Sequence, residues 1–430
     1  DWFHYGAFRQ TNFDYTNFQT TQRDGGDAVA RGSYDDYEEF RRAGSAGAYA
    51  RLHGLDQLPW AQKMIEHPAY DAFWQGQALD KLVAAKPSQV PTMWIQGLWD
   101  QEDMWGAIQT YLALKAKGQT AGNYLVMGPW RHSQVNYDAY NLGPLKWDGD
   151  TALQFRRDVL KPFFDQYLKP GAPTAATPPV FIYNTGENHW DRLQNWPPAC
   201  EKGCAAPMKP LYLQADFGLA FDKPAAAAGA SDTYVSDPAK PVPYLPRPVR
   251  FADGDRWRQW LVTDQRSVAD RTDVLTYQTK VLTAPMRVSG APIADLLAAT
   301  TGTDSDWVVK LIDVFPDEVP SQPEMGGYQL GVSMDIFRGR YRESFEHPSP
   351  IPSGKPQRYR FVLPTVNHVF LPGHRIMLQI QSSWFPLYDR NPQTYVPNIF
   401  FAGPESYVKA TQSIFRSADQ ASSVLLPVTP

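Results

Sequence analysis

The sequence predicts two folding units in series, a parallel α/β layer interrupted by a helical insertion and then an all-β domain. Three changes of texture support this. Residues 16–88 are polar and helix-prone, and residues 89–177 alternate short apolar runs with helix-length periodic segments, the grammar of a parallel sheet. From residue 178 to the end, short strands are separated by Pro, Gly and Asp and few helical periods intrude, as in a sandwich or jelly roll. A chain of 430 residues also exceeds the usual size of one domain.

Taken in order, residues 1–15 form a short aromatic segment assigned to the α/β unit. Within the insertion, the charged face Asp35-Asp36-Tyr37-Glu38-Glu39-Phe40-Arg41-Arg42 predicts a helix that stops at Gly44. Further helices are expected over 60–65 and 70–83, the latter halted near Pro87. In the α/β unit, residues 91–98 and 123–128 read as buried strands. Residues 104–117 read as a helix ending at Gly118, and 151–168 as an amphipathic helix kinked at Pro162. In the last region, strands are expected at 180–183, 308–314, 359–363 and 375–381, with 225–230 a flexible loop.

Composition narrows function by exclusion. A formal net charge of −4 offers no basic stripe for nucleic acid. No apolar run approaches the roughly 20 residues of a membrane-spanning helix. With 14 Trp, 22 Tyr and 22 Phe, the rings suit either a thick core or an aromatic-lined pocket. Cys200 and Cys204 lie too far from other ligands for a metal site, so a short-loop disulfide is expected; this favours a periplasmic or secreted location. The opening, Asp1-Trp2-Phe3-His4-Tyr5, has no initiator Met, basic head or apolar leader, and reads as the middle of a protein.

In doubly wound sheets, ligands gather outside the carboxyl ends of the strands. Two such ends deliver Gly97-Leu98-Trp99-Asp100-Gln101-Glu102-Asp103 and Met127-Gly128-Pro129-Trp130-Arg131-His132. α/β-Hydrolases place their triad in the chain order Ser, Asp, His, with acid and base after late strands. Asp100 and His132 fit that order as orienting acid and general base. The pattern alone leaves a second reading open, a helix-capping Asp and a surface His. The nucleophile is harder to find. Only Ala43-Gly44-Ser45-Ala46-Gly47 has the small residues an elbow needs, and it follows a charged helix instead of a buried strand, so Ser45 reads as a helix cap. The triad serine is therefore expected to lie outside this sequence.

Several motifs then carry a resemblance. They are Asp-Trp-Phe-His-Tyr-Gly-Ala-Phe-Arg at 1–9, Trp-Ile-Gln-Gly-Leu-Trp-Asp-Gln-Glu-Asp-Met-Trp-Gly at 94–106 and Met-Gly-Pro-Trp-Arg-His-Ser at 127–133, with Pro-Phe-Phe-Asp-Gln-Tyr-Leu at 162–168 and Phe-Leu-Pro-Gly-His-Arg-Ile-Met at 370–377. Across essentially all its length the chain resembles the α-amino-acid ester hydrolases, the β-lactam antibiotic acylases of the cocaine esterase and X-prolyl dipeptidyl peptidase clan. The resemblance implies an incomplete α/β-hydrolase core at 1–15 and 89–177, a helical cap at 16–88 and a C-terminal jelly roll at 178–430. It implies that Asp100 and His132 are the triad acid and base. It further implies that Asp1, Glu102 and Asp103 form a carboxylate cluster for a substrate ammonium, and that the family's Gly-x-Ser-Tyr-x-Gly elbow lies outside this chain. The implied partners are an α-amino acyl ester or amide, an amine acceptor and further copies of the chain in a tetramer. No cofactor or metal enters this chemistry.

Independently, adjacent carboxylates repel one another and favour a cation among them, whether a substrate ammonium or Ca²⁺. The plainer alternative is that Glu102 and Asp103 cap the helix that follows. His4, Phe73 and Trp74 are weaker candidates for pocket lining, and His189 and His374 read as structural.

Overall fold

Two strands, β1 (Thr92–Gly97) and β2 (Asn123–Gly128), run parallel and in register, from Thr92 against Asn123 to Gly97 against Gly128. The computed structural model describes residues 3–21 and 29–430 of the chain. Parallel neighbours need a crossover, which α7 (Gly106–Ala116) supplies. Alternate residues of β2 enter different cores. Leu125 and Met127 pack with Ile108 and Tyr111 of α7, while Val126 faces Ala152, Phe155 and Val159 on the other side. Burial on both faces is what makes a parallel strand a near-continuous apolar run.

On that second face lie α8 (Thr151–Phe155) and α9 (Lys161–Leu168), with a π-helical turn over Arg156–Leu160 between them. The wider turn sits directly ahead of Pro162, where a proline ring would crowd the preceding carbonyls of a regular α-helix. The break expected at Pro162 therefore takes the form of a π-turn.

The strand Val180–Asn184 pairs parallel with β2, and His189–Leu193 closes the sheet antiparallel. This corrects the placing of the 180–183 strand in the all-β domain. The run Val180-Phe181-Ile182-Tyr183 belongs to the α/β sheet and not to the all-β domain, and all five residues of the strand are buried. A short apolar run looks the same in a sandwich core and in a parallel sheet, so only the pairing partner decides.

Among the described residues, seven helical segments precede β1, and the main ones are where expected. α2 (Asp36–Ala43) is capped by the Asp35 side chain and ends at Gly44, and α4 is Pro59–Glu66. The single helix expected over 70–83 is two, α5 (Ala72–Gln75) and α6 (Leu79–Ala85). Asp71 caps the first and the chain leaves it at Gly76, a residue with little helical preference. Ser45 is the buried N-cap of α3 (Ala46–Leu52), accepting from the Ala48 N–H at 3.1 Å and donating to the Phe400 carbonyl at 2.8 Å. That role leaves it no part in catalysis.

The paired strands of the all-β domain are antiparallel. One sheet orders the strands Leu275–Gln278, Arg375–Gln381, Asp306–Val314 and Gln329–Arg338. It lies between a seven-stranded sheet and the α/β layer, because Trp307, Val309 and Leu311 face one core while Val308 packs with Trp99 and Tyr183. Cys200 and Cys204 are bridged, with a Cα–Cα distance of 5.5 Å. Residues 3–9 form no strand of the α/β sheet; they run along the all-β domain, where Arg338 donates to the Gly6 carbonyl at 3.2 Å and Asp389 accepts the Phe8 N–H at 2.9 Å.

Candidate active site

Asp100 and His132 leave the carboxyl ends of β1 and β2 and meet. His132 Nδ1 lies 3.2 Å from each Asp100 carboxylate oxygen. Two glycines permit this approach. A Cβ on Gly97 would stand 2.4 Å from the Trp130 carbonyl oxygen, and one on Gly128 would stand 2.3 Å from the Trp130 ring. These are cross-strand partners, so the two loops close over a paired gap in side-chain volume. Gly97→Ala is expected to cost about 1–3 kcal/mol through overpacking and to displace the His132 loop. Urea unfolding together with the Asp100–His132 distance in a crystal structure of the variant would check both effects.

Asp100 is held by more than His132. Its carboxylate accepts the backbone N–H groups of Glu102 at 2.9 Å and Asp103 at 3.2 Å. Burial pushes its pKa above the ordinary carboxylate range, while those N–H groups and His132 pull it back. The His132 backbone N–H donates to Gln101 Oε1 at 3.0 Å, and Arg9 donates to the carbonyls of Gln101 and, at 3.1 Å, Glu102. Asp100, His132 and the loop after Asp100 are thus tied together. The side chain of Asp100 is 11% exposed and that of His132 is 44% exposed, so the base alone opens to solvent.

The two carboxylates after Asp100 part company. Glu102 Oε2 lies 3.6 Å from His132 Nε2, the ring nitrogen opposite the one that faces Asp100. Asp103, expected beside it, is instead turned to the turn that opens α7, where it accepts from the Trp105 N–H at 2.7 Å and the Gly106 N–H at 3.1 Å. The first N–H groups of a helix have no intrahelical partner, and a carboxylate there satisfies them. Asp1 lies outside the described residues.

Two cavities meet at Glu102. One is small and is lined by His4, Asp100, Trp105, Asp335 and Tyr388 among others. The other is a cleft of about 520 Å³ lined by Tyr15, Arg131, His132, Tyr137 and Arg258. His4 therefore does line the site, with its Nε2 2.5 Å from Asp335 Oδ1. Phe73 and Trp74 do not line either cavity; Phe73 stacks on His67. His374 is structural, 2.8 Å from Asp313, and His189 pairs with Asp191. Sequence reasoning missed Asp335, Arg258, Gln101 and Arg9. Gln101 stands inside the Trp-Asp-Gln-Glu-Asp motif and Arg9 in the opening one, but nothing local marks Asp335, which arrives from a strand of the all-β domain.

Fold and site together define an α/β protein with a carboxylate–histidine pair at the carboxyl edge of its parallel sheet, backed by an antiparallel domain. The family model described as X-Pro dipeptidyl-peptidase (S15 family) matches residues 1–134, and that described as X-Pro dipeptidyl-peptidase C-terminal non-catalytic domain matches residues 173–425. The chain belongs to this X-Pro dipeptidyl-peptidase family. Among solved structures, it is 63% identical to an α-amino acid ester hydrolase at a TM-score of 0.98, covering 100% of this chain and 70% of that one. It is 50% identical to an aminopeptidase from a marine sediment Thaumarchaeota archaeon, with a TM-score of 0.95 and the same coverage, 100% and 70%. It is also 31% identical over 383 residues to cocaine esterase of Rhodococcus sp. (strain MB1 Bresler), which spans 86% of this chain but only 62% of the esterase.

Proposed function

We propose that this chain forms the acid–base and amine-recognition part of a serine-type hydrolase or acyltransferase acting on esters and amides of α-amino acids. A serine upstream of residue 1 attacks the carbonyl, His132 takes its proton, and Asp100 holds the imidazole and stabilises the imidazolium. Water or an amine, a β-lactam nucleus included, then receives the acyl group, with His132 protonating and deprotonating in turn. The parallel sheet is the C-terminal part of an α/β-hydrolase core, the helices before β1 are its cap, and the antiparallel sheets are a jelly roll. The high TM-scores against both solved relatives support this.

The position of Glu102 carries the proposal. In an α-amino acyl group the ammonium lies two bonds from the reacting carbonyl carbon, so its counter-charge has to stand beside the base. Glu102 does so, 3.6 Å from His132 Nε2. A charge pair at about 4 Å is worth roughly 4 kcal/mol at an effective dielectric near 20, before desolvation. The names of the two similar structures share this chemistry, since an amino acid ester and an aminopeptidase substrate both present a free α-amine.

Glu102→Ala is expected to lower kcat/KM for phenylglycine methyl ester about 10- to 100-fold, the range for a lost charge-assisted hydrogen bond. The deaminated ester should change only a few-fold, and equal losses on both would overturn the assignment. Adding an X-Pro amide to the panel separates this activity from that of an X-prolyl dipeptidyl peptidase, a cephalosporin acylase or a general esterase. The Cys200–Cys204 bridge supports an oxidising, periplasmic or secreted location.

A further inference from the structure

The cleft on the His132 side carries a charge that the acyl-transfer chemistry leaves unused. Arg131 and Arg258 both line it, together with Tyr15, Glu102, His132 and Tyr137. Arg131 Nη1 donates to the His132 carbonyl at 2.8 Å, and among the described residues it makes no ion pair. Burial and the nearby Arg258 both push its pKa below the ordinary value, and Tyr137, Asp100 and Asp255 only partly offset this. Arg258 lies 3.4 Å from Asp255, but these side chains are 52% and 88% exposed, so the pair is weak and screened. Among the described residues, Glu102 is the one carboxylate lining the cleft, and it stands at His132 Nε2. Two guanidinium groups sharing a partly desolvated cleft repel each other until an anion joins them. Arg is suited to hold a carboxylate in bidentate fashion.

The chemistry decides which part of the substrate enters this cleft. His132 has to hand its proton to the leaving amine, so the leaving group lies on the side where His132 is exposed. The acyl group then occupies the other cavity, with its ammonium at Glu102. We propose that Arg131 and Arg258 form a subsite for a carboxylate carried by the leaving or accepting amine, so that the protein takes peptide-like substrates charged at both ends. The assignment of the two sides rests on the acyl-transfer function proposed above.

The test is a binding comparison that needs no turnover. Phenylalanylglycine and its C-terminal amide are titrated calorimetrically into the Asp100→Asn protein, alone and combined with Arg258→Gln or Arg131→Gln. The free acid is expected to bind about tenfold or more tightly than the amide, as charge-assisted contacts imply, with the advantage falling below about threefold in each arginine variant. Equal binding of acid and amide, or an acid preference that survives both replacements, would overturn the subsite. Because Arg258 is a surface residue of α10 (Gly254–Gln259), its variant remains informative even where Arg131→Gln disturbs the His132 loop. Phenylglycine methyl ester turnover is measured in parallel on the protein that carries the proposed upstream serine, with Asp100 unchanged. Acid-selective binding without ester turnover supports the subsite and counts against acyl transfer; ester turnover without acid selectivity does the reverse.

Discussion

Replacing Asp100 with Asn is expected to lower kcat about 10⁴-fold in the protein that carries the proposed upstream serine, with little loss of stability. The size of the effect follows from what the acid does in such triads. It fixes the imidazole tautomer and stabilises the imidazolium, and an amide of the same shape does neither. Stability should survive because the amide oxygen still accepts the Glu102 and Asp103 N–H groups. The pH linkage points the same way. Burial raises the Asp100 pKa, so the folded protein binds this proton more tightly than the unfolded chain. The contribution is present below the unfolded pKa and is lost as pH rises through the folded value. At neutral pH the ionised carboxylate is thus a net cost of folding, and Asn removes it. Steady-state kinetics and urea midpoints near pH 7 and pH 4 check both halves. A near-normal rate, or a fall in midpoint comparable to a core deletion, would refute the role given to Asp100.

The largest expected effect on stability lies away from the chemistry. Arg338 is wholly buried, and its Nε and Nη2 donate to Asp306 at 3.0 and 2.9 Å. Its Nη2 and Nη1 also reach Asp389 at 2.9 and 3.1 Å. Removing one partner of such a group strands buried charge, typically at about 3–5 kcal/mol, against total stabilities of about 5–15 kcal/mol. Arg338→Met keeps much of the volume and deletes the charge, leaving two buried carboxylates without their cation. Because Asp389 also holds the Phe8 N–H, the variant should loosen the segment that brings His4 and Arg9 to the site. Expected results are a urea-derived loss of about 3–5 kcal/mol and faster amide exchange at residues 6–9. A loss below about 1 kcal/mol would show that the network is not coupled to folding.

The parts of the site that were legible in the sequence are those on contiguous stretches of chain. Asp100 and His132 each follow a run of apolar residues that suits a buried strand, and their chain order fits the acid and base of a triad. The disulfide was legible because the chain has only two cysteines, four positions apart, with too few other ligands nearby for a metal site. Glu102 and Asp103 were legible as a charged pair, but which of them faces the cleft was not. Both readings use the same residues, and the direction of each side chain depends on where the first turn of α7 leaves its unpaired N–H groups. The split of residues 70–83 into α5 and α6 had a visible signal in Gly76, which was passed over for the apolar periodicity around it.

By itself the sequence determined the alternation of strand and helix in residues 89–177, the placing of Asp100 and His132 at the carboxyl ends of two strands and the ordering of an α/β unit before an all-β one. These follow from local properties, namely apolar periodicity, glycine at strand ends and the spacing of charged residues. Only the tertiary structure decided that Val180–Asn184 pairs with β2, that Asp335 reaches the site from a distant strand and that Arg131 and Arg258 share one cleft with His132. Each depends on contacts between segments far apart in the chain. A residue's neighbours across such a distance are set by packing of the whole, and its local sequence holds no record of them.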